Sequence, residues 1–256
     1  MLRMVIFLLL CFSPAVMAAD PPLVAVASNM TQVMTALADR FQASTQVKIK
    51  LSFGSTGNFT RQILQGAPYQ VFLAADKKHV DMLRDNGRQL LRTAEFARGR
   101  IGFFIPSDSR LTGTTDLSSI VDAIEFENYT RLAIANSEIA PYGLAAEQAL
   151  NNAGIWVLNR NKLLVGENAA QTVQFSLSGA VDIGIIPASA AFLPEVKEGG
   201  NFVLIPETWH QPIEQYLVLL TDTNPNAVRF YDFLLTQESR QILIEYGYTP
   251  SILINK

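Results

Sequence analysis

Val24-Ala25-Val26-Ala27-Ser28-Asn29-Met30 is the stretch on which the reading of this chain turns. A short apolar run ends at Ser28-Asn29, and Val33, Met34, Leu37 and Phe41 then recur at helical spacing, marking one buried face. A buried strand that stops at a Ser-Asn pair and turns at once into a helix directs free backbone N–H groups off the strand end. Such a helix start suits an anion, because its first N–H groups lack intrahelical partners and its dipole end is positive. A single turn of this kind carries little weight, since Ser and Asn cap helices throughout α/β proteins. What matters is whether others converge with it.

Outward from that turn, Val47, Ile49, Leu51 and Phe53 alternate with Lys48, Lys50 and Ser52, a half-buried strand. It ends in Gly54-Ser55-Thr56-Gly57, and a short helical pattern with Phe59, Ile63 and Leu64 follows, stopped at Gly66. Residues 69–75 read as a third strand, and Asp76 opens a polar helix to about Gly87. His79 on that helix is expected in solvent, with no second histidine near it in sequence. Residues 101–105 form a strand closed by Pro106, and a helix starts at Thr115-Asp116. The strand 132–135 leads into Pro141-Tyr142-Gly143 and a helix stopped by Gly154. The strand 163–165 leads into Gly166-Glu167-Asn168-Ala169 and a helix ending at Gly179. Strands at 181–186, 202–205 and 216–220 and two helices around Tyr231 and Leu243 complete the chain. Strands alternating with helices imply a parallel-rich α/β architecture with ligand sites at strand ends.

The totals bound the possibilities. The chain has 256 residues, 49% hydrophobic and 17% charged, an ordinary globular composition with length for two lobes that each bury a core. A formal net charge of −3 argues against a nucleic-acid partner. Residues 1–18 read as a secretory signal peptide. Arg3 is followed by an apolar run too short to span a bilayer, which needs about 20 residues, then by Pro14 and a cleavage signal ending at Ala18. The only cysteine, Cys11, lies in this segment, so the exported chain carries no disulfide or thiol chemistry.

Four turns share one character: Ser28-Asn29, Ser55-Thr56, Pro141-Tyr142-Gly143 and Asn168-Ala169. Each precedes a helix and offers N–H groups at a positive dipole end. Capping explains any one of them; the set of four favours an anion cage. Enzyme signals are absent: Gly54-Ser55-Thr56-Gly57 lacks the spacing of a nucleophile elbow, and no dinucleotide or P-loop glycine pattern occurs. His79 and His210 stand in unrelated contexts without metal-ligand spacing. Arg98 and Arg100 flank a strand start, and Glu125 with Glu127 forms an acidic pair; all four read as solvated charge.

The ordered set Ala-Ser-Asn (27–29), Phe-Gly-Ser-Thr-Gly (53–57), Gly-Ala-Pro (66–68), Ala-Ala-Asp (74–76), Pro-Tyr-Gly (141–143) and Gly-Glu-Asn (166–168) resembles the periplasmic molybdate-binding proteins of ABC transporters. The resemblance extends through Phe-Tyr-Asp-Phe-Leu (230–234) and Tyr-Gly-Tyr (246–248). It implies a two-lobed type II periplasmic-binding-protein fold, with mixed sheets flanked by helices and a ligand cleft between the lobes. The expected lobes are residues 19–100 with 222–256, and 101–221. The resemblance further implies that Ser28, Asn29 and Ser55 contact a tetrahedral oxyanion through hydroxyl and backbone N–H. Tyr142 and Ala169 would do so through backbone N–H. The Tyr142 side chain departs from the small residue common there, and Pro187 stands where some members carry a tyrosine. No cofactor is implied: the ligand is molybdate or tungstate, the partner is a membrane permease, and the protein is a periplasmic monomer.

A cage of donors alone suits an unprotonated dianion, because a protonated phosphate would bury an unpaired hydroxyl at about 1–3 kcal/mol. Neutral donors and helix dipoles can share its charge. Glu167 is expected to point away, since its carboxylate would repel the ligand. Sulfate or another small tetrahedral oxyanion is the alternative ligand, differing from molybdate in size and not in charge or shape. A secreted hydrolase using Ser28 or Ser55 lacks a placed base, and a DNA-binding regulator is opposed by the signal peptide and the acidic balance.

Overall fold

A computed structural model describes residues 20–126, 128–156 and 161–251; the signal peptide with its cleavage site, and Glu127, lie outside them. In chain order β1 (Leu23–Ala27) passes through a 3-10 turn (Ser28–Met30) into α1 (Thr31–Thr45). Then come β2 (Lys50–Gly54), α2 (Thr56–Leu64), β3 (Val71–Ala74), α3 (Lys77–Asp85) and β4 (Arg92–Gly99). β5 (Ile101–Pro106), α4 (Leu117–Glu125), β6 (Leu132–Ala135), α5 (Pro141–Asn152), β7 (Leu163–Gly166) and α6 (Ala169–Leu177) follow. β8 (Ile183–Pro187), α7 (Pro194–Gly199), β9 (Gly200–Leu204) and β10 (Ile213–Leu219) lead to α8 (Pro225–Leu234), α9 (Gln237–Glu245) and the short β11 (Thr249–Pro250).

These strands form two mixed sheets, ordered β11-β4-β10-β3-β1-β2 and β7-β6-β8-β5-β9. In the first, β1 runs parallel to β2 and β3, while β10 is antiparallel to β3 and β4. In the second, β6 is parallel to β7 and β8, and β5 is antiparallel to β8 and β9. Both faces of the first sheet are covered, which is why β1 is continuously apolar. Val24 and Val26 pack with α1, α8 and α9, whereas Ala25 packs with Phe59 and Ile63 of α2 and Val80 and Leu83 of α3. Ile101, Phe103 and Ile134 of the second sheet pack with α4 and α5 on one face; Phe104 and Ile186 pack with Val173 and Val196 on the other.

Sheet membership corrects the expected lobe boundary. β10 pairs with β3 and β4, so the return crossing lies within residues 205–212 and not after residue 221. The apolar pattern of residues 216–220 identifies a strand without saying which sheet it enters. β4 is a strand that the sequence pattern does not show, because its polar run Arg92-Thr93-Ala94-Glu95 breaks alternation; it is covered on one side only by the two-residue β11. Arg98 lies inside β4, exposed and paired with Glu95 and Glu214. Arg100 sits between β4 and β5 and is not the solvated charge expected of it. Half-buried, it donates to the Ile205 carbonyl at 3.0 Å and pairs with Glu207 at 3.0 Å, tying one crossing to the other. His79 also departs from expectation: it is 8% exposed, and its ring Nδ1 lies 2.8 Å from the Asp76 carboxylate that caps α3.

Candidate functional site

β1, β2, β6 and β7 all end toward the cleft between the sheets, so the helix starts that follow them meet there. Ser28, Asn29, Ser55, Tyr142 and Ala169 all line one small hollow. Each is at least nine-tenths buried: Ser55 is 2% exposed and Ser28 6%. The Ser55 hydroxyl accepts from Asn58 N at 3.4 Å as the cap of α2, which leaves its proton free to donate. Asn168 caps α6 through Gln171 N at 3.1 Å. α5 has no side-chain cap and begins at Pro141; Gly143 N and Leu144 N both donate to the Ala140 carbonyl, at 2.8 and 3.1 Å, so the Tyr142 N–H is the one left to the cleft. Gly143 allows that approach: a Cβ there would stand 2.3 Å from the Ala135 carbonyl at the end of β6.

No Lys, Arg, His, Asp or Glu lines this hollow, and no acidic or histidine cluster suited to a metal ion occurs among the described residues. The chemistry on offer is hydroxyl and backbone N–H donors with helix dipoles behind them. Two buried phenols stand near the hollow, Tyr142 in the lining and Tyr248 behind Asn29. Burial pushes Tyr248 up to about 12 and Tyr142 well above the ordinary tyrosine value, so both stay neutral and place no phenolate beside a bound anion. A larger hollow shares Ser28, Asn29 and Ala169 with the first and adds the polar side chains of Thr31, Gln32, Gln174 and Ser189. Beyond them it is walled by Val173, Leu177 and Leu193 and carries the Glu195 carboxylate, a charge that disfavours a dianion there.

The two lobes are closed on one another. Ala170 N donates to Ser28 Oγ at 3.3 Å and Gly57 N to the Ile139 carbonyl at 2.9 Å. Glu167 is exposed and does not line the hollow; its carboxylate accepts from the Asn58 side chain of the opposite lobe, and Asn58 accepts in turn from Arg61. The Tyr142 phenol accepts from Asn29 Nδ2 at 3.2 Å and lies against Gly99, at the start of the first crossing. Neither Ser28 nor Ser55 hydrogen-bonds a histidine among the described residues.

Three further residues belong to this neighbourhood and were not singled out from the sequence. Gln215 and Tyr248 both accept from Asn29 Nδ2, at 3.0 and 3.1 Å, and Ser189 donates to the Asn29 carbonyl at 3.1 Å. Tyr248 lies in the Tyr-Gly-Tyr segment, where Gly247 takes φ +77° to turn the chain back toward the site. Gln215 is an amide at 0% exposure in β10, on the buried side of a strand whose flanking Glu214 and Tyr216 are only partly buried, the one local oddity that could have marked it.

Comparison with known proteins gives a consistent result. The family model of bacterial extracellular solute-binding proteins matches residues 22–249. The molybdate-binding protein ModA of Azotobacter vinelandii is 34% identical over 228 residues, 88% of this chain and 88% of that protein. The molybdate-binding protein ModA of Rhodobacter capsulatus is 31% identical over 234 residues, 90% of this chain and 89% of that protein. The solved structure of the Azotobacter vinelandii periplasmic molybdate-binding protein superposes with a TM-score of 0.81 at 27% identity, covering 90% of this chain and all of that one.

Proposed function

Because the chain belongs to the bacterial extracellular solute-binding protein family, we propose that it captures molybdate, and tungstate with it, between its two lobes and delivers the anion to an ABC permease. The carrying observation is the meeting of helix starts from both lobes in one hollow lined by neutral donors and by no charged side chain. In this reading Ser28, Asn29 and Ser55 bind from the first lobe, by hydroxyl and backbone N–H. Tyr142 and Ala169 bind from the second by backbone N–H. A dianion touching both lobes stabilises the closed state by contacts that the open state lacks, so ligand capture and closure are one event.

Proteins of this family bind solutes and are not enzymes, and the hydrolase reading is set aside with them. The reading includes export to the periplasm after cleavage near Ala18, action as a monomer, and no cofactor. Lobes of residues 19 to about 100 with about 213–256, and of about 101–212, fit the sheet order. Sulfate shares the charge and shape of molybdate and differs in size, so it enters as a competitor in the test.

Calorimetry of the purified protein with molybdate, tungstate, sulfate and phosphate decides the matter. Tight binding of the first two with little heat from the others is the expected result. Equal affinity for sulfate would overturn the molybdate assignment, and no binding of any oxyanion would overturn the site.

A further inference from the structure

The side-chain amide of Asn29 has no proton to spare for an anion. Its side-chain Nδ2 has two protons and three acceptors around it: Gln215 Oε1 at 3.0 Å, Tyr248 OH at 3.1 Å and Tyr142 OH at 3.2 Å. The main-chain carbonyl of Asn29 is equally engaged, accepting from Tyr248 OH at 2.6 Å and Ser189 Oγ at 3.1 Å, which fills both lone pairs. Asn29, Gln215 and Tyr248 belong to the first lobe; Tyr142 opens α5 and Ser189 follows β8, both in the second. The cluster therefore crosses between lobes at the floor of the cleft without passing through the anion position.

We propose that Asn29, Tyr142, Tyr248 and Ser189 form a ligand-independent tether that biases the empty protein toward closure, with the Asn29 side-chain amide, unlike its backbone N–H, serving as a positioning group and not as an anion donor. All members are buried, Gln215 completely, so their hydrogen bonds form in a medium where separation is costly. Opening the lobes would strip Asn29 Nδ2 of Tyr142, the Asn29 main-chain carbonyl of Ser189, and the Tyr248 hydroxyl of Ser189 Oγ, to which it donates at 3.2 Å, while Tyr248 and Gln215 would keep their bonds to Asn29 within the first lobe. The tether also orients the backbone of the Ser28–Asn29 turn and the start of α5, which face each other across the hollow.

The consequence for binding is specific. Apparent affinity equals intrinsic affinity scaled by the fraction of protein already competent to bind. A tether that raises this fraction strengthens every ligand by the same factor and leaves selectivity untouched. A direct ligand contact has no reason to act equally on anions of different size. This effect on affinity rests on the oxyanion reading above; the tether itself does not.

The test uses Tyr248→Phe, which deletes the hydroxyl and keeps the ring, with Ser189→Ala removing the contact from the other lobe. Small-angle X-ray scattering of the ligand-free proteins should give a larger radius of gyration for each variant than for the parent, while the molybdate-saturated forms coincide. Calorimetry should give molybdate and tungstate affinities lowered by one common factor of roughly threefold to tenfold, the scale of one buried neutral hydrogen bond. Ligand-free scattering of both variants identical to the parent would overturn the tether. So would unequal losses for the two anions. If the parent binds no oxyanion, the functional reading falls, and the ligand-free scattering comparison still decides the tether.

Discussion

The Tyr142 hydroxyl fills the space above Gly99: a Cβ at position 99 would stand 1.9 Å from that oxygen and 3.1 Å from the ring carbon that bears it. Gly99 ends β4 at the first crossing between lobes, and Tyr142 is the second residue of α5. The hinge region of one sheet and a helix start of the other are thus fitted by the absence of one methyl group. The phenol so placed reaches Asn29, and the backbone of the same tyrosine faces the hollow.

Gly99→Ala should therefore lower stability by about 1–3 kcal/mol, the usual cost of overpacking a closed site. Tyr142→Phe removes the colliding oxygen and leaves the 3.1 Å contact to the ring. The double variant should be more stable than the sum of the single losses predicts. Thermal unfolding of the four proteins forms the cycle, and strict additivity would exclude the collision as the cause.

Ser55→Ala should weaken molybdate binding roughly 10- to 100-fold, the range for a hydrogen bond to a charged group. It also removes the cap of α2, whose loss costs about 1 kcal/mol of stability. Ser55→Thr keeps a hydroxyl and should retain most of the affinity. Calorimetry separates the three proteins; equal affinities would remove Ser55 from the cage.

Glu167→Gln tests the carboxylate at the rim. Glutamine retains an acceptor for the Asn58 side chain and removes a charge that repels an approaching dianion. The on-rate for molybdate should rise about two- to fourfold at low ionic strength and converge with the parent as salt screens the field. Stopped-flow rates across a salt series measure this. Equal rates at the lowest salt would mean that the approaching ligand does not sense the Glu167 charge.

His210 makes the protein sensitive to mild acid. It lies in the return crossing, 7% exposed, with Nδ1 2.7 Å from the Gln211 carbonyl and a buried Nε2 that has no partner. Burial, followed by the neighbouring Arg100 cation, holds its pKa below the ordinary 6.5, against the opposing pull of Gln211 and Glu207. With the folded-state value depressed, the unfolded chain takes up the proton first. Stability is accordingly full above about pH 6.5 and is lost as pH falls toward and through the folded-state pKa. Melting temperatures between pH 7.5 and 5 should fall more steeply for the parent than for His210→Phe, and parallel curves would refute this role.

Much of the site was legible because its signals are local. The apolar run of residues 24–27, the caps at Ser55, Asp76, Asp116 and Asn168, and the close-packed Gly143 depend on residues within a turn or two of one another. Short-range periodicity and capping chemistry identify such features wherever they occur. The alternation of strands and helices placed each of the four turns at a strand end, and an α/β fold gathers strand ends into a common cleft.

The chain by itself therefore determined most of the elements and the fold class, and its resemblance to a known family picked out the five residues that line the hollow. Tertiary structure decided what those residues do to one another. Asn29 meets Ser189 160 positions away and Tyr248 219 positions away, and no local pattern ties such distant residues together. β10 joins the first sheet because β3 and β4 present the edges it pairs with, a fact absent from its own alternation. His79 and Arg100 have polar side chains that suggest solvent, yet His79 is buried and Arg100 half-buried by segments that pack against them. Burial belongs to a surface and whatever covers it, and the covering segments come from elsewhere in the chain.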